Sequence, residues 1–533
     1  MLADCIPFKD TGYFSNLILD YLEQNENVNP LYNRYPSIEN FKDQIVEKQS
    51  GYRPETRKVL VSSLKKQYKE TVLSVDTRKN IDLLEKASTF TITTGHQLNL
   101  FTGPLYFLYK IISAVNLTKK LKEAYPSYDF VPVYWMATED HDFDEINFFN
   151  FKGKKFQWNK EVSGAVGELS TEGLQDVFEL LNLELGVGKD ADKLRDLFKR
   201  AYLEHANLTD ATRYLANELF GACGLVIVDG NDKNLKRLFI PYVEKELKFQ
   251  CSYEEVGKTA AELASKDYKV QVNPREINLF YLKEGLRERI VKTAEGFAVN
   301  DTEIGFSEDG ILAELQAYPE RFSPNVLLRP LYQEVILPNL CYIGGGGELA
   351  YWLQLKTFFK RVDVVFPVLL LRNSVLLVEK KQAEKLERLH ISYKSLFLKR
   401  HNFINRRVRE ISNIDINFDS QREQLTTQFK EMYRLAELTD KTFLNAVKAQ
   451  EVKQLKGLDM LEQRLLKAQK RKLSDEVERM TAIQEMLFPN GSLQERTKNF
   501  SEFYNEYGSG LLDGLFANLD PLHLEFAILL MEE

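Results

Sequence analysis

Residues 90–142 read FTITTGHQLNLFTGPLYFLYKIISAVNLTKKLKEAYPSYDFVPVYWMATEDHD. The β-rich run Phe90–Thr94 ends at Gly95, and apolar residues then recur at helical spacing over 105–115. A second apolar run, Phe130–Met136, ends in an acidic cluster. The stretch therefore predicts a βαβ unit of an α/β fold. Parallel strands in such a unit place their ligand-binding loops at the carboxyl ends, where both the glycine turn and the acidic cluster lie.

Further strand candidates extend this sheet along the chain. They are short apolar runs: Gly224–Asp229, Val326–Arg329, Val335–Leu337 and Val362–Leu370. Two stretches, 147–215 and 250–322, mix short strand, helix and turn patterns; they interrupt the α/β pattern and are predicted to be insertions. The chain is almost free of Gly and Pro over 376–487, which predicts long helices with one turn near 412–419. Turn residues follow, and 488–533 is predicted to return to the core.

A seven-residue repeat lies in the helical region. It consists of Leu466, Leu473, Met480 and Leu487, and it indicates either a short coiled coil or an ordinary helical bundle. Each buried Leu contributes roughly 1.5 to 3 kcal/mol, so the apolar seam must be covered. We expect the helices to pair within the chain, as in an antiparallel hairpin. We also expect a homodimer with the helical domain in its interface, because two-fold dimers are the commonest oligomers.

Charge and cysteine content exclude several classes of protein. The net charge is −7 and the isoelectric point is near 5.7, which gives no electrostatic basis for binding nucleic acid or an anionic membrane. The four cysteines form no CxxC pair, which argues against a zinc ribbon or a disulfide framework. The first residues lack the pattern of a signal peptide, and no apolar run is long enough to span a bilayer. We expect a cytoplasmic protein with reduced thiols.

Two polar clusters at the strand ends are candidates for a functional site. Gly95-His96, between strand and helix, could cradle a phosphate or carboxylate, although a plain turn has the same pattern. The second cluster, which contains Asp140, His141 and Asp142, could be a solvated loop. Crowded carboxylates raise at least one pKa, however, unless a cation or a substrate amine compensates them, and we favour function. No second His lies at helical spacing, so no metal site is predicted.

The third cluster is the glycine run that follows Cys341. Four glycines, Gly344–Gly347, precede Glu348, with Tyr351 and Trp352 expected to open a helix. The run is not a Walker A loop, because no Gly-Lys-Ser/Thr follows. The alternatives are a flexible loop and a ligand-binding wall, and the aromatic pair favours the wall. Nothing in the sequence indicates a depressed pKa at Cys341, so a buried thiol is predicted rather than a nucleophile.

Four ordered blocks together resemble the BshC family, the cysteine-adding enzymes of bacillithiol biosynthesis. They are TGHQLNLFTGPLYFLYKIISAVNL, FVPVYWMATEDHDFDEINFF, SPNVLLRPLYQEVILPNLCYIGGGGELAYWLQLK and LFPNGSLQER. The resemblance implies a Rossmann-like core related to class I aminoacyl-tRNA synthetases and nucleotidyltransferases, with two connecting-peptide insertions and an α-helical coiled-coil domain. The implied segments are 1–146, 216–249 and 323–375 for the core, 147–215 and 250–322 for the insertions, 376–487 for the coiled coil, and 488–533 for the return.

The implied reaction joins L-cysteine to the amine of glucosaminyl malate and forms bacillithiol, the last step of that synthesis, with ATP providing activation. Family members also resemble proteins that bind a nucleotide beside the helical domain. This resemblance gives four ATP/ADP-binding candidates, which are Lys380, Lys381, Arg496 and Tyr504. Two alternative functions are a nucleotidyltransferase that stops at an adenylylated product, and a non-catalytic scaffold that binds a metabolite.

These observations assign a role to each candidate residue. The catalytic candidates are Asp140, His141, Asp142 and His96, with His96 expected to hydrogen-bond ligand rather than transfer a proton. The substrate-binding candidates are Gly95, Asn99, Gly103, Arg329, Gly345, Gly346, Glu348, Tyr351 and Trp352. We expect the insertions to close over this pocket and exclude water from an activated acyl group.

Overall fold

The structure, a computed structural model, describes residues 1–532. The chain divides into two compact units, which are described separately below. The first comprises Met1–Leu377 together with the residues from Gln494 onward, and the second comprises Val378–Leu493. No helix within residues 1–532 is both long and apolar enough to cross a membrane.

The amino-terminal part of the first unit contains the predicted βαβ unit, preceded by helices. Its elements are β1 (Leu2–Pro7), α1 (Phe8–Thr11), α2 (Asn16–Leu22), α3 (Ile38–Gly51), α4 (Pro54–Gln67), α5 (Val75–Leu83), β2 (Thr89–His96), α6 (Tyr106–Ala124), β3 (Asp129–Met136) and α7 (Phe143–Ile146). Strand β2, helix α6 and strand β3 confirm the order predicted from residues 90–142.

The middle of the first unit is mixed in structure. Its elements are β4 (Phe148–Phe151), β5 (Lys154–Gln157), α8 (Leu174–Leu185), α9 (Lys189–Tyr202), α10 (Leu208–Phe220), β6 (Val226–Asp229), α11 (Lys233–Phe249), α12 (Cys251–Ser265), β7 (Leu279–Lys283), β8 (Leu286–Thr293), β9 (Gly296–Val299), β10 (Gly305–Phe306) and α13 (Glu308–Ala317). Range 147–215 thus holds a β-hairpin and helices. Range 250–322 holds four strands of an antiparallel sheet, in the order β10-β9-β8-β7, and the strand Phe322–Pro324 pairs with β7 as the fifth.

The rest of the chain completes both units. Its elements are β11 (Phe322–Pro324), α14 (Leu328–Ile336), β12 (Asn339–Gly344), α15 (Gly346–Trp352), α16 (Lys356–Arg361), β13 (Val368–Leu371), β14 (Ser374–Glu379), α17 (Lys380–Arg388), α18 (Tyr393–Leu396), α19 (Arg400–Ile411), α20 (Asp419–Glu437), α21 (Lys441–Lys472), α22 (Ser474–Leu487), α23 (Gln494–Thr497), α24 (Phe500–Tyr507), α25 (Gly510–Asn518) and β15 (Glu525–Met531).

A five-stranded parallel sheet forms the centre of the first unit. Its order is β13-β12-β2-β3-β6, and each neighbouring pair is parallel. The chain runs outward from β2 through β3 to β6, and later adds β12 and β13 on the other side of β2. The strand order therefore reverses between β2 and β12, and open α/β sheets bind their ligands at such a switch point.

The sheet is buried by apolar side chains from its own strands and from α6. Phe90 and Ile92 of β2 pack with Ala114 and Leu117 of α6, and with Leu340 of β12, in one fully buried cluster. Each such side chain contributes roughly 1.5 to 3 kcal/mol relative to exposure. This packing fixes the carboxyl ends of β2, β3 and β12 at one edge of the sheet.

Three strand predictions are wrong in whole or in part. Val326–Arg329 and Val335–Leu337 lie in and around helix α14, because Leu328, Leu331, Tyr332 and Ile336 are buried at helical spacing. The strand of this region is β12, which contains Cys341. In the predicted run Val362–Leu370 only the end, from Val368, is strand, and Asp363 takes a positive φ of 61° that an extended strand does not allow.

The second unit consists of helices that pair with one another. Helices α20 and α21 are joined by a short turn and pack antiparallel, since Arg422 near the start of α20 contacts Asp459 and Glu462 late in α21. The turn predicted near 412–419 separates α19 from α20. Leu466 packs on Val408 and Ile416 of the same chain, which confirms pairing within the chain. The heptad stripe is interrupted at Leu473, which separates α21 from α22.

Candidate active site

A cavity of about 720 Å³ opens at the switch point of the parallel sheet. Its wall includes Gly95 at the end of β2, the residues after β3, and the start of α15 after β12. Residues of range 250–322 line a further side of the cavity: Val272, Asn273, Arg275, Phe280 and Arg287. Predicted site residues that line the cavity are Gly95, His96, Asp140, His141, Asp142, Arg329, Gly345, Gly346, Glu348, Tyr351 and Arg496.

The acidic end of the cavity lies at the carboxyl end of β3. Asp140 accepts hydrogen bonds from Gln97 Nε2 at 3.0 Å and from the backbone N–H of His141 at 2.8 Å. Burial alone would raise the pKa of Asp140, but the bonds from His141 and Gln97 and the charge of Arg287 lower that pKa to about 2. Burial and the neighbouring Asp140 instead raise the pKa of Asp142. Environment therefore separates the pKa values of two adjacent carboxyl groups.

Arg287 is a site residue that the sequence did not reveal. It lies on β8, is 9% exposed, and places its guanidinium 3.9 Å from the ring centroid of Phe280. Its Nη1 is hydrogen-bonded to Nδ1 of His141. The segment LRERIV shows two arginines on a strand in an insertion, and no sequence signal indicates which of them is buried.

The glycine run ends a strand and begins a helix. Gly344 ends β12, Gly345 precedes α15, and Glu348 accepts a bond from the Gly345 N–H at 2.9 Å. Glu348 also pairs with Lys110 Nζ at 2.7 Å, and Lys110 in turn donates to the Gly95 carbonyl at 2.7 Å. Burial raises the pKa of Glu348, but Lys110 and the hydrogen bonds outweigh it, and that pKa is lowered. Glu348 is thus an anion that follows β12, and its ion pair with Lys110 connects it to the end of β2.

Close approach explains the glycine at position 95. A Cβ there would lie 3.2 Å from the hydroxyl oxygen of Tyr342, which itself donates to Glu348 at 2.7 Å. A larger residue would push apart the ends of β2 and β12, where the cavity begins.

Arginine side chains form a cationic wall of the cavity. Arg372 is 4% exposed and pairs with Glu495 at 2.7 Å, and Arg329 donates to Gln333 at 3.0 Å. Among residues 1–532, Arg372 Nε and Arg329 Nη2 are buried without a hydrogen-bond partner. Buried donors require acceptors, so this wall is suited to an anionic ligand.

His96 lies on this wall as a neutral side chain. Burial lowers the pKa of His96 well below its usual value, and the cations Lys110 and Arg372 lower it further. Its ring packs against the rings of Tyr106 and Phe107, at centroid distances of 5.4 and 5.0 Å. This environment supports hydrogen bonding to ligand rather than proton transfer at neutral pH.

Four candidate residues of the first unit lie outside the cavity lining. Asn99 donates to the Glu145 carbonyl at 3.1 Å, and Gly103 adopts a positive φ of 63° beside it. Trp352 ends α15 instead of opening it, and is fully buried with its ring stacked on Tyr342 at 4.5 Å. Tyr504 packs on Phe500.

The other two nucleotide candidates belong to the second unit. Lys380 and Lys381 are exposed in the first turn of α17.

Cys341 is completely buried, and burial raises the pKa of its thiol well above the usual value, which confirms the predicted buried thiol.

Among residues 1–532, two groups of side chains have the composition of a metal site. In Asp140, His141 and Asp142 the possible ligand atoms lie within 4.8 Å of one another, but Arg287 already donates to His141 and provides the compensating positive charge. The second group, Cys5, His523 and Glu525, lies beside the β1–β15 pairing and away from the cavity. The structure gives neither group a feature that requires an ion.

Fold and site together define a Rossmann-like α/β protein with a ligand cavity at its switch point and a separate antiparallel helical unit. Residues 1–373 match the family described as bacillithiol biosynthesis BshC, N-terminal Rossmann-like domain, and residues 375–531 match its C-terminal coiled-coil domain. The chain belongs to the BshC family. The predicted Rossmann-like core and coiled-coil domain are thereby confirmed. The structure assigns residues from Gln494 onward to the first compact unit, although they fall in the second family domain.

Relatives match over almost the whole chain. A Flavobacterium johnsoniae protein named "Putative cysteine ligase BshC" is 58% identical over 529 residues, covering 99% of this chain and 100% of its own. Proteins with the same name from Christiangramia forsetii and Bacillus cereus are 58% and 27% identical, covering 99% and 93% of this chain and 99% and 94% of their own. A solved chain described as a putative arginyl-tRNA synthetase from Campylobacter jejuni is 11% identical, covers 77% of this chain and 94% of its own, and has a TM-score of 0.22, too low to support an argument.

Proposed function

We propose that this protein is an amide-forming cysteine ligase that joins L-cysteine to the amine of glucosaminyl malate. One observation carries the proposal beyond family membership: the cavity has carboxylates at one end and arginines with unpartnered buried donors on another wall. Glucosaminyl malate carries an amine and two carboxylates, and cysteine carries one of each. Arginine pairs with carboxylates in a bidentate geometry, and a carboxylate pairs with an ammonium group.

The two carboxyl groups at the acidic end of the cavity would have different roles in amide formation. Asp140, with its low pKa, stays ionised and would hold the ammonium group of a substrate. Asp142, with its raised pKa, is better suited to accept the proton that the amine must lose before it attacks. The amine nitrogen then forms a bond to the carboxyl carbon of cysteine, and the leaving group takes the electron pair of the broken bond.

Arg329 and Arg372 would bind the malate carboxylates. Their unpartnered donors are buried, so a carboxylate there would satisfy them without displacing an existing bond. Arg496 lines the same cavity and could bind either a carboxylate or a phosphate. The residues that range 250–322 contributes to the wall support a role for this insertion in excluding water from an activated acyl group.

Activation of the cysteine carboxylate is assigned to ATP, because an amide does not form from a free carboxylate and an amine without a leaving group. Lys380, Lys381, Arg496 and Tyr504 remain the candidates for nucleotide contact. The four free cysteines are consistent with a reducing cytoplasm, which is the proposed location.

The decisive experiment incubates the purified protein with L-cysteine, glucosaminyl malate and ATP, followed by mass spectrometry of bacillithiol and of the nucleotide products. We expect bacillithiol only when all three are present. AMP release without the amine acceptor, and no amide with it, would favour the adenylylating alternative. A deletion strain that regains bacillithiol with the wild type but not with Asp140→Asn would exclude the non-catalytic scaffold.

A further inference from the structure

Arg287 reaches the acidic end of the cavity from a different part of the chain. It lies on β8, within range 250–322, whereas His141 follows β3 of the parallel sheet. The guanidinium lies over Phe280, and the ring centroid of His141 lies 5.5 Å from that of Phe280. The aromatic ring therefore holds the arginine and the imidazole side by side.

The chemistry of the two groups decides where the imidazole proton lies. A guanidinium has only N–H donors and is not deprotonated in proteins, so the group that it bonds must accept. The Nδ1 atom of His141 must therefore carry a lone pair while Arg287 donates to it. In a neutral imidazole the remaining proton is then on Nε2.

The groups that face His141 have charges of both signs. Asp140 Oδ1 lies 3.7 Å from Nδ1 and Asp142 Oδ1 lies 3.9 Å from Nε2, and both carboxylates favour a protonated ring. The guanidinium of Arg287 opposes protonation at Nδ1, and the neighbouring ring of Phe280 is uncharged. Arg287 itself faces Glu139, Asp140 and Asp142, which hold a cation there.

We propose that Arg287 is a positioning residue that keeps His141 in the neutral Nε2–H tautomer, so that His141 donates a hydrogen bond to a substrate oxygen and does not act as a base. The proposal deepens the proposed ligase function and rests on it for the substrate. An Nε2–H donor in this position could stabilise the oxygen that becomes negative when the amine attacks the acyl carbon. The proton of the amine would then pass to Asp142.

The test measures the tautomer directly. The full chain is labelled with ¹⁵N-histidine, the His141 signals are assigned by their loss in His141→Gln, and the ring nitrogens are observed at pH 8. We expect the wild type to show the Nε2–H pattern. In Arg287→Met the Nδ1–H form should become populated, because Nδ1 then faces Asp140 and no donor occupies its lone pair. Arg287→Lys retains a donor and should restore most of the wild-type pattern.

Arg289→Met is the control, since Arg289 lies on the same strand, is half-buried and is outside the cavity lining. It should leave the His141 signals unchanged. An Nδ1–H pattern in the wild type, or an unaltered pattern in Arg287→Met, would overturn the proposal. If Arg287→Met does not fold, the wild-type pattern and Arg287→Lys still decide the question.

Activity provides a second readout that a merely structural role would not share. Arg287→Met should lower kcat by about 10²-fold with a smaller change in KM, which is the usual effect of removing one transition-state donor. The same substitution made in His141→Gln should lower kcat no further. Additive losses would overturn the proposal. Absence of ligase activity in the wild type would refute the proposed function, but it would leave the tautomer measurement intact.

Discussion

Asp140 and Asp142 differ in environment although one residue separates them. Asp140 accepts two hydrogen bonds and lies near Arg287, whereas Asp142 is more exposed and lies beside an ionised neighbour. The sequence predicts that crowding raises at least one pKa; at Asp142 burial raises the pKa most, and the neighbouring Asp140 raises it further. Removing Asp140 should relieve no like-charge strain, because that carboxylate is stabilised by its surroundings.

Asp140→Asn should abolish ligase activity and also lower the free energy of unfolding. The folded-state pKa of Asp140, about 2, lies below the ordinary value of 3.8, so the carboxylate stabilises the fold above pH 3.8. That contribution, roughly 2 kcal/mol, is lost as the pH falls toward 2, with roughly half lost by pH 3. Urea denaturation of both proteins from pH 6 to pH 3 should show the wild-type advantage shrinking over the acidic part of this range.

Asp144→Asn is the matched control, because Asp144 is exposed in the same acidic segment. Its difference from the wild type should stay within about 0.5 kcal/mol at every pH. An advantage of wild type over Asp140→Asn that does not depend on pH would contradict the pKa assigned to Asp140.

His96→Gln should retain activity within about tenfold of the wild type. The pKa of His96 is lowered by burial, so the ring is neutral across the working range and glutamine can replace its hydrogen bond. The measurement is kcat/KM for bacillithiol formation between pH 6 and pH 9. Complete loss of activity in a folded variant would make His96 an acid or a base.

Lys110 of α6 and Glu348 of α15 form an ion pair that connects the ends of β2 and β12. Lys110 is 4% exposed and lies between the Gly95 carbonyl and Glu348. Glu348→Gln should cost about 3 kcal/mol of stability, because it leaves a buried ammonium without its counter-charge. Adding Lys110→Met should recover part of that loss, and thermal or urea unfolding measures both effects.

An exposed ion pair provides the comparison. Lys193 and Asp190 pair at 2.7 Å on the surface of the first unit, and Lys193→Met should change stability much less than Glu348→Gln does, because solvent screens an exposed pair. If the double variant of Lys110 and Glu348 were as unstable as the sum of the two single variants, the pair would not be coupled as described.

Sequence periodicity predicted those elements whose pattern is local. The strands β2 and β3 follow from apolar runs, and the helix α6 follows from apolar residues at helical spacing. The long helices of the second unit follow from a stretch that is almost free of Gly and Pro. The prediction failed over 326–344, because a short buried helix and a buried strand present similar apolar runs. Arg287 could not be found from the sequence, because its partners lie more than 140 residues away and only the folded chain brings them together.

The whole molecule is expected to form a homodimer through the helical unit. Met460 and Leu461 of α21 are 57% and 52% exposed, beside a groove between α20 and α21. Exposed apolar residues that adjoin one another mark an interaction surface. Light scattering at micromolar concentration should return twice the chain mass of 61.9 kDa.

The joint substitution Met460→Glu with Leu461→Glu should convert the dimer to a monomer and leave the helical content unchanged. Val187→Glu, at an exposed site of the first unit, is the control and should remain dimeric. A wild-type mass of 61.9 kDa would refute the dimer. A dimer that survives the joint substitution would refute only the surface assigned to it.

The pairing of β1 with β15 has a consequence for biosynthesis. Pro7 pairs with Glu525, so β1 meets its neighbour only after about 500 further residues have been translated. At the usual rates of elongation this interval is roughly half a minute to two minutes. During that time β1 has an open edge, and Asp4 within it places a charge that discourages association with other nascent chains. Premature termination shortly before Glu525 would leave that edge permanently open, so such truncated products should be substrates for chaperones and proteases.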